Sequence, residues 1–155
     1  MKPLPRLDFP DAIDGDGHVL EPLDVWERYL DPSFRSRGPV LTHDDQGREQ
    51  LEMDGRVSKI LKAGMPGGLG AMDRVGGHVY ERESNTGFRY VDDAPLGAMD
   101  AKERVQRLDM ENLARVFLYP TLTLFWLAEC EDEELTQACA RAYNRFIVDF
   151  CSDSG

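Results

Sequence analysis

Residues 114–119, Ala-Arg-Val-Phe-Leu-Tyr, form a short apolar, β-rich run that Pro120 stops. A run of this kind without polar alternation reads as a strand covered on both faces, as in a parallel sheet. Both flanks read as helix. Upstream, Asp100 can cap the amide of Glu103 while Glu103 reaches back, and Ala101, Val105 and Leu108 share a face before the segment stops near Asn112. Downstream, Leu135, Ala138, Cys139, Ala142, Tyr143, Phe146, Ile147 and Phe150 recur at helical spacing. Acidic residues 131–134 open that helix where its dipole favours negative charge, with Asp132 as the cap, and residues 152–155 end it. Helix, buried strand, helix predicts an α/β fold.

The front half is less regular. Residues 12–16 predict a strand, and residues 22–30 a short helix carrying Val25, Trp26 and Tyr29 that Asp31-Pro32 breaks. Residues 40–43 and 49–53 predict a hairpin across Asp44-Asp45-Gln46-Gly47. Residues 63–77 are dominated by glycine and methionine and are followed by a polar stretch to Asp93. Residues 38–95 therefore read as an irregular insertion with a candidate hairpin. At 155 residues and 41% hydrophobic content the chain has material for a single domain with a real core.

The charge balance, 18 Lys and Arg against 29 Asp and Glu for a net of -11, would repel a phosphate backbone, which argues against nucleic acid as a partner. The longest apolar run, residues 122–128, is far shorter than the roughly 20 residues of a membrane helix, and the first eleven residues hold three prolines and no continuous apolar core. The expectation is a soluble cytoplasmic protein with no membrane partner. Cys130, Cys139 and Cys151 are spaced for neither a disulfide framework nor a structural zinc site and are expected as buried thiols.

Residues 13–22, Ile-Asp-Gly-Asp-Gly-His-Val-Leu-Glu-Pro, bring acidic and imidazole groups together on a strand-like run. On an extended chain Asp16 and His18 project the same way with Gly17 between them. A carboxylate and an imidazole so placed can bind one divalent cation, although on spacing alone such a pair is more often a capping or hydrogen-bonding one. Metal sites need at least three protein ligands, and the other histidines, His43 and His78, lie in polar or glycine-rich loops. Glu21 could orient His18 from a second shell, contact a metal, or mark a helix start with Pro22. Phe125 and Trp126 follow the second strand and read as core or as substrate-facing; Tyr143 belongs to an apolar helix face, and Asn144 reads as a packing or a surface polar group.

The order of several separate segments resembles the amidohydrolase-related family that includes the aminocarboxymuconate-semialdehyde decarboxylase-like enzymes. Residues 13–22 look like that family's first barrel strand, and residues 23–35, Leu-Asp-Val-Trp-Glu-Arg-Tyr-Leu-Asp-Pro-Ser-Phe-Arg, are similar to the short helix that follows in one branch. Arg107-Leu108-Asp109-Met110, residues 116–121 and Arg141-Ala142-Tyr143-Asn144 resemble the second strand and its flanking helices. The resemblance is weakest over residues 42–93. It implies part of a TIM-type (β/α)8 barrel, about two β/α units plus the insertion, and a divalent metal, zinc or manganese, at the carboxyl ends of the strands. Many relatives carry two histidines on the first strand, and here the first of those positions is Asp16 and the second His18. The implied metal ligands are His18 and Asp16, with later ligands on further strands.

A complete barrel needs about 250 residues, so residues 1–155 are expected as a single partial domain. The implied function is that of the N-terminal part of a metal-dependent hydrolase or decarboxylase acting on a small carboxylated or cyclic substrate, inactive as these residues alone. The alternatives are a self-contained non-catalytic α/β binding domain, or a truncated product without activity. An incomplete barrel should leave apolar strand surface open and favour self-association or a homo-oligomer.

Overall fold

The computed structural model describes residues 8–9, 11–72 and 87–152. Two strands distant in sequence, β1 (Ala12–His18) and β5 (Leu113–Tyr119), pair in parallel, and a separate antiparallel sheet is built from β2 (Val40–His43), β3 (Glu49–Met53) and β4 (Arg56–Val57) in that order. The helices are α1 (Val25–Tyr29), α2 (Met65–Gly70), α3 (Ala101–Glu111), α4 (Leu122–Leu127) and α5 (Glu133–Ser152), with a 3₁₀ helix over Pro32–Arg37. The fold is mixed α/β, with parallel and antiparallel sheets.

Each parallel strand is delivered by local chemistry. The Asp100 carboxylate accepts the Glu103 amide at 2.9 Å to start α3, and Asn112 ends it in the left-handed region at φ 62°. Glu103 does not close a reciprocal box. Its carboxylate reaches past Asp100 to accept the amide of Gly97 at 3.2 Å, so the cap fastens the preceding loop as well. From Asn112 the chain enters β5 directly.

β1 carries an irregularity. Asp14 is registered on Val116 and Gly17 on Leu118, so three steps on β1 answer two on β5. Gly17 is the residue that permits this, because a methyl there would collide with Cγ2 of Val116. The strand runs on to His18, beyond the expected end at Asp16.

The hairpin forms over the expected residues. Asp44 accepts the amides of Gln46 and Arg48 at 3.0 and 2.9 Å, the side-chain turn that its cluster predicts. Burial holds the pKa of Glu49 on β3 above its ordinary value, against the pull of the Tyr90 amide. A third strand, β4, follows a turn in which Asp54 and Gly55 both have positive φ. Part of the expected irregular excursion is in fact helix α2, Met-Pro-Gly-Gly-Leu-Gly. Glycine is a poor helix former, but Gly67 and Gly70 lie one turn apart against the backbones of Phe88 and Tyr90, where any Cβ would clash. The helix exists in that form because a chain segment crosses it at backbone contact.

The core gathers Val19, Val25, Trp26, Leu30, Leu51, Leu61 and Tyr90 against the buried face of α5, made of Leu135, Ala138, Cys139, Ala142, Tyr143, Phe146 and Phe150. Trp26 and Trp126 meet edge to face, their rings 5.6 Å apart. Asp132 accepts the Leu135 amide at 3.1 Å, as expected of a cap, and also receives Arg37 at 2.7 Å. Two expectations are corrected. β5 is not covered on both faces, since Phe117 is 62% exposed. Of the cysteines, Cys139 is buried, its thiol pushed up to about 12 by burial, but Cys130 is half-buried and Cys151, in the last turn of α5, is exposed. Among the described residues no helix is long and apolar enough to cross a membrane.

Candidate functional site

His18 ends β1, and its imidazole Nδ1 lies 2.8 Å from the backbone carbonyl oxygen of Pro120, just past the end of β5. A carbonyl can only accept, so Nδ1 carries the proton. In the neutral ring that leaves Nε2 as the free electron pair, the state in which histidine serves as a base or metal ligand. The Thr121 hydroxyl stands 3.4 Å from the same nitrogen and donates to the carbonyl of Val19 at 2.9 Å. On its backbone side His18 is held by Arg104, whose guanidinium donates to the His18 carbonyl at 2.7 Å and to that of Gly97 at 2.6 Å.

Asp16 is exposed, and its own amide donates to the Asp14 carboxylate at 3.0 Å. The strand irregularity between Asp14 and Gly17 interrupts the simple alternation expected there. Asp16 and His18 nevertheless border one cavity of about 560 Å³, together with Asp14, Arg104, Arg107 and Phe125. Asp14 was not singled out from sequence, although its place in the same two-residue series was the available signal. Among the described residues no group of three His, Cys, Asp or Glu side chains is gathered so as to hold a metal ion.

The two arginines give the cavity wall positive charge close to these carboxylates. Arg107 pairs with Glu111 at 2.6 Å, one helical turn on. Burial first, and the neighbouring Arg107 second, lower the pKa of Arg104, against the opposing pull of Asp14 and Glu111. Arg104 stays charged all the same, since a guanidinium starts far above neutral pH.

Glu21 is 1% exposed and does not line this cavity. Its carboxylate accepts the amides of Thr121, Leu122 and Thr123, each at 3.0 Å, and the Tyr90 hydroxyl at 3.2 Å. It therefore caps the start of α4, about a hundred residues along the chain, and not the helix that follows Pro22. Its connection to His18 runs through Thr121. Four donors around one buried carboxylate keep it satisfied where a bare charge would be costly. Burial, then the charge of Glu21, raise the Tyr90 phenol well above its ordinary pKa, which keeps it a donor.

The other sequence candidates separate cleanly. His43 lies exposed at the hairpin end of β2, while His78 falls outside the described residues. Trp126 is core, 1% exposed, whereas Phe125 borders the cavity. Tyr143 is buried on α5 and Asn144 exposed. Tyr90 and Arg104 were missed. One sits in a segment without periodicity, and the other looks like any surface arginine of an amphipathic helix.

No protein-family model matches the chain, and no curated protein matches it. Among solved structures it is similar to the crystal structure of an amidohydrolase from Mycobacterium avium subsp. paratuberculosis K-10, with a TM-score of 0.62 and 25% identity over 92% of this chain. The match covers 39% of that protein's chain, so the 155 residues span well under half its length. Over most of its length this chain is amidohydrolase-like, a mixed α/β fold that matches part of such a protein.

Proposed function

We propose that these residues form the opening portion of a TIM-type barrel in a metal-dependent hydrolase or decarboxylase acting on a small carboxylated or cyclic substrate, with His18 and Asp16 as ligands to zinc or manganese. The observation that carries the reading is the state of His18. It sits at the carboxyl end of a parallel strand, its Nδ1 committed to Pro120 and its neighbour Asp16 on the same cavity. Metal-binding histidines characteristically give their second nitrogen to a carbonyl or carboxylate in this way. The Asp16 carboxylate has no hydrogen-bond or ion-pair partner among the described residues, which suits it to a cation. The donor types, one imidazole nitrogen and one carboxylate oxygen, fit zinc or manganese.

A divalent metal held there would polarise a substrate carbonyl or carboxylate. The remaining ligands would come from outside the described residues, so catalysis by the described residues alone is not expected. Arg104 holds the His18 backbone, Glu21 holds the peptide that His18 bonds, and the cavity offers room for a small molecule. A small-molecule substrate and a cytoplasmic setting complete the proposal.

The test is metal retention. Purified chain loaded with zinc or manganese and dialysed should retain metal above a His18→Ala, Asp16→Ala double variant of equal foldedness. Retention above the variant would discard the non-catalytic α/β binding domain, and equal retention would discard His18 and Asp16 as the pair through which these residues hold a metal.

A further inference from the structure

We infer that Tyr90 is a positioning residue for His18, acting through the Glu21 carboxylate and the Pro120–Thr121 peptide; the inference rests on the reading of His18 as a metal ligand. Tyr90 is 0% exposed and lies in the segment that follows the glycine-rich helix α2. Three independent contacts fix it. Gly67 and Gly70 admit the backbone from Phe88 to Tyr90 at a distance no side chain would allow. The Tyr90 amide donates to the buried Glu49 carboxylate at 2.8 Å, and its hydroxyl donates to Glu21 at 3.2 Å. A phenol so fully anchored holds its acceptor in place.

What it holds is the peptide that sets the state of the imidazole. Glu21 receives Tyr90 and the Leu122 amide on one oxygen, and the amides of Thr121 and Thr123 on the other. The Thr121 amide belongs to the same planar peptide as the Pro120 carbonyl. Fixing the N–H on Glu21 therefore fixes where the oxygen points, and that oxygen is the acceptor 2.8 Å from His18 Nδ1. The insertion is thus tied to the chemistry. Through Tyr90 it determines which nitrogen of His18 is left for a cation.

The experiment uses the ¹⁵N-labelled full chain at about pH 8, where an ordinary histidine is neutral, with His43→Gln and His78→Gln variants to assign the imidazole signals. In the wild type His18 should report the Nδ1–H tautomer. Tyr90→Phe removes one oxygen and should move His18 toward the Nε2–H form, with zinc alone binding about tenfold more weakly. Glu21→Gln, which breaks the same link while keeping shape, should shift the tautomer in the same direction, and carries the test if Tyr90→Phe does not fold. Tyr29→Phe is the control, since its hydroxyl serves Asp149 on the far helix and should move neither readout. Lower thermal stability in Tyr90→Phe with tautomer and zinc affinity unchanged would overturn the inference. A tautomer shift with zinc affinity unchanged would uphold the positioning of His18 and overturn the reading of its Nε2 as a metal-binding atom.

Discussion

The Pro120 carbonyl and His18 Nδ1 lie 2.8 Å apart across the ends of two parallel strands, which leaves Nε2 as the nitrogen available to a ligand. Glutamine and asparagine can test that assignment, since a glutamine side chain places its amide near the position of Nε2 and an asparagine near that of Nδ1. Zinc affinity should therefore fall less in His18→Gln than in His18→Asn. Competition against a chromophoric chelator measures both, and the reverse order would show that Nδ1 is the binding atom.

Gly17, next to His18, fixes how closely the two parallel strands approach. A methyl at that position meets Val116 Cγ2 in a register that already carries an irregularity. Gly17→Ala should destabilise the fold by about 1–3 kcal/mol, the usual range for overpacking. Adding Val116→Ala frees the space, so the double variant should recover part of that loss in urea midpoint. Additive losses would mean that the collision is not the cause.

The fold was legible where local signals were strong. Asp100 with Glu103, the Asp44 turn and the apolar face of α5 each state an element within a few residues. The helices α2 and α4 were not legible. One is glycine-rich because it meets another backbone, and the other starts on a carboxylate a hundred residues upstream. The site divides in the same way. Asp16 and His18 could be found from alternation and resemblance, but Tyr90, Arg104 and the actual partners of Glu21 depend on contacts between distant segments. Sequence spacing carries no trace of those contacts.

Arg37 joins the turn between β3 and β4 to the start of α5 by donating to Asp54 at 2.6 Å and to Asp132 at 2.7 Å. It is the first cause holding both carboxyls below their ordinary pKa. A carboxyl depressed in the folded state stabilises the fold fully above its unfolded value and loses that contribution as pH falls through the lower folded value. The urea midpoint should accordingly drop as pH falls below about 4, and Arg37→Gln should flatten that acid limb. Glu49 has the opposite sign. Burial raises it, so its contribution is lost as pH rises through its folded pKa, and Glu49→Gln should remove that decline. An acid limb unchanged in Arg37→Gln would sink the assignment.

Ile13 is registered on Arg115, and Phe117 and Tyr119 follow Arg115 along the same face of β5. All three apolar side chains are open, at 52%, 62% and 46%. An uncovered parallel pair with apolar side chains on its free face invites another strand or face to cover it. Net charge of -11 opposes close approach of two copies, so association should strengthen as added salt screens that repulsion. Size-exclusion chromatography with light scattering should show mass rising with concentration and with salt. Phe117→Glu should shift the chain toward monomer with its circular dichroism unchanged. Val148→Glu, at a 66% exposed position on α5, should leave association as it is. A wild-type chain that stays monomeric at its highest soluble concentration in high salt would show that this face needs no partner.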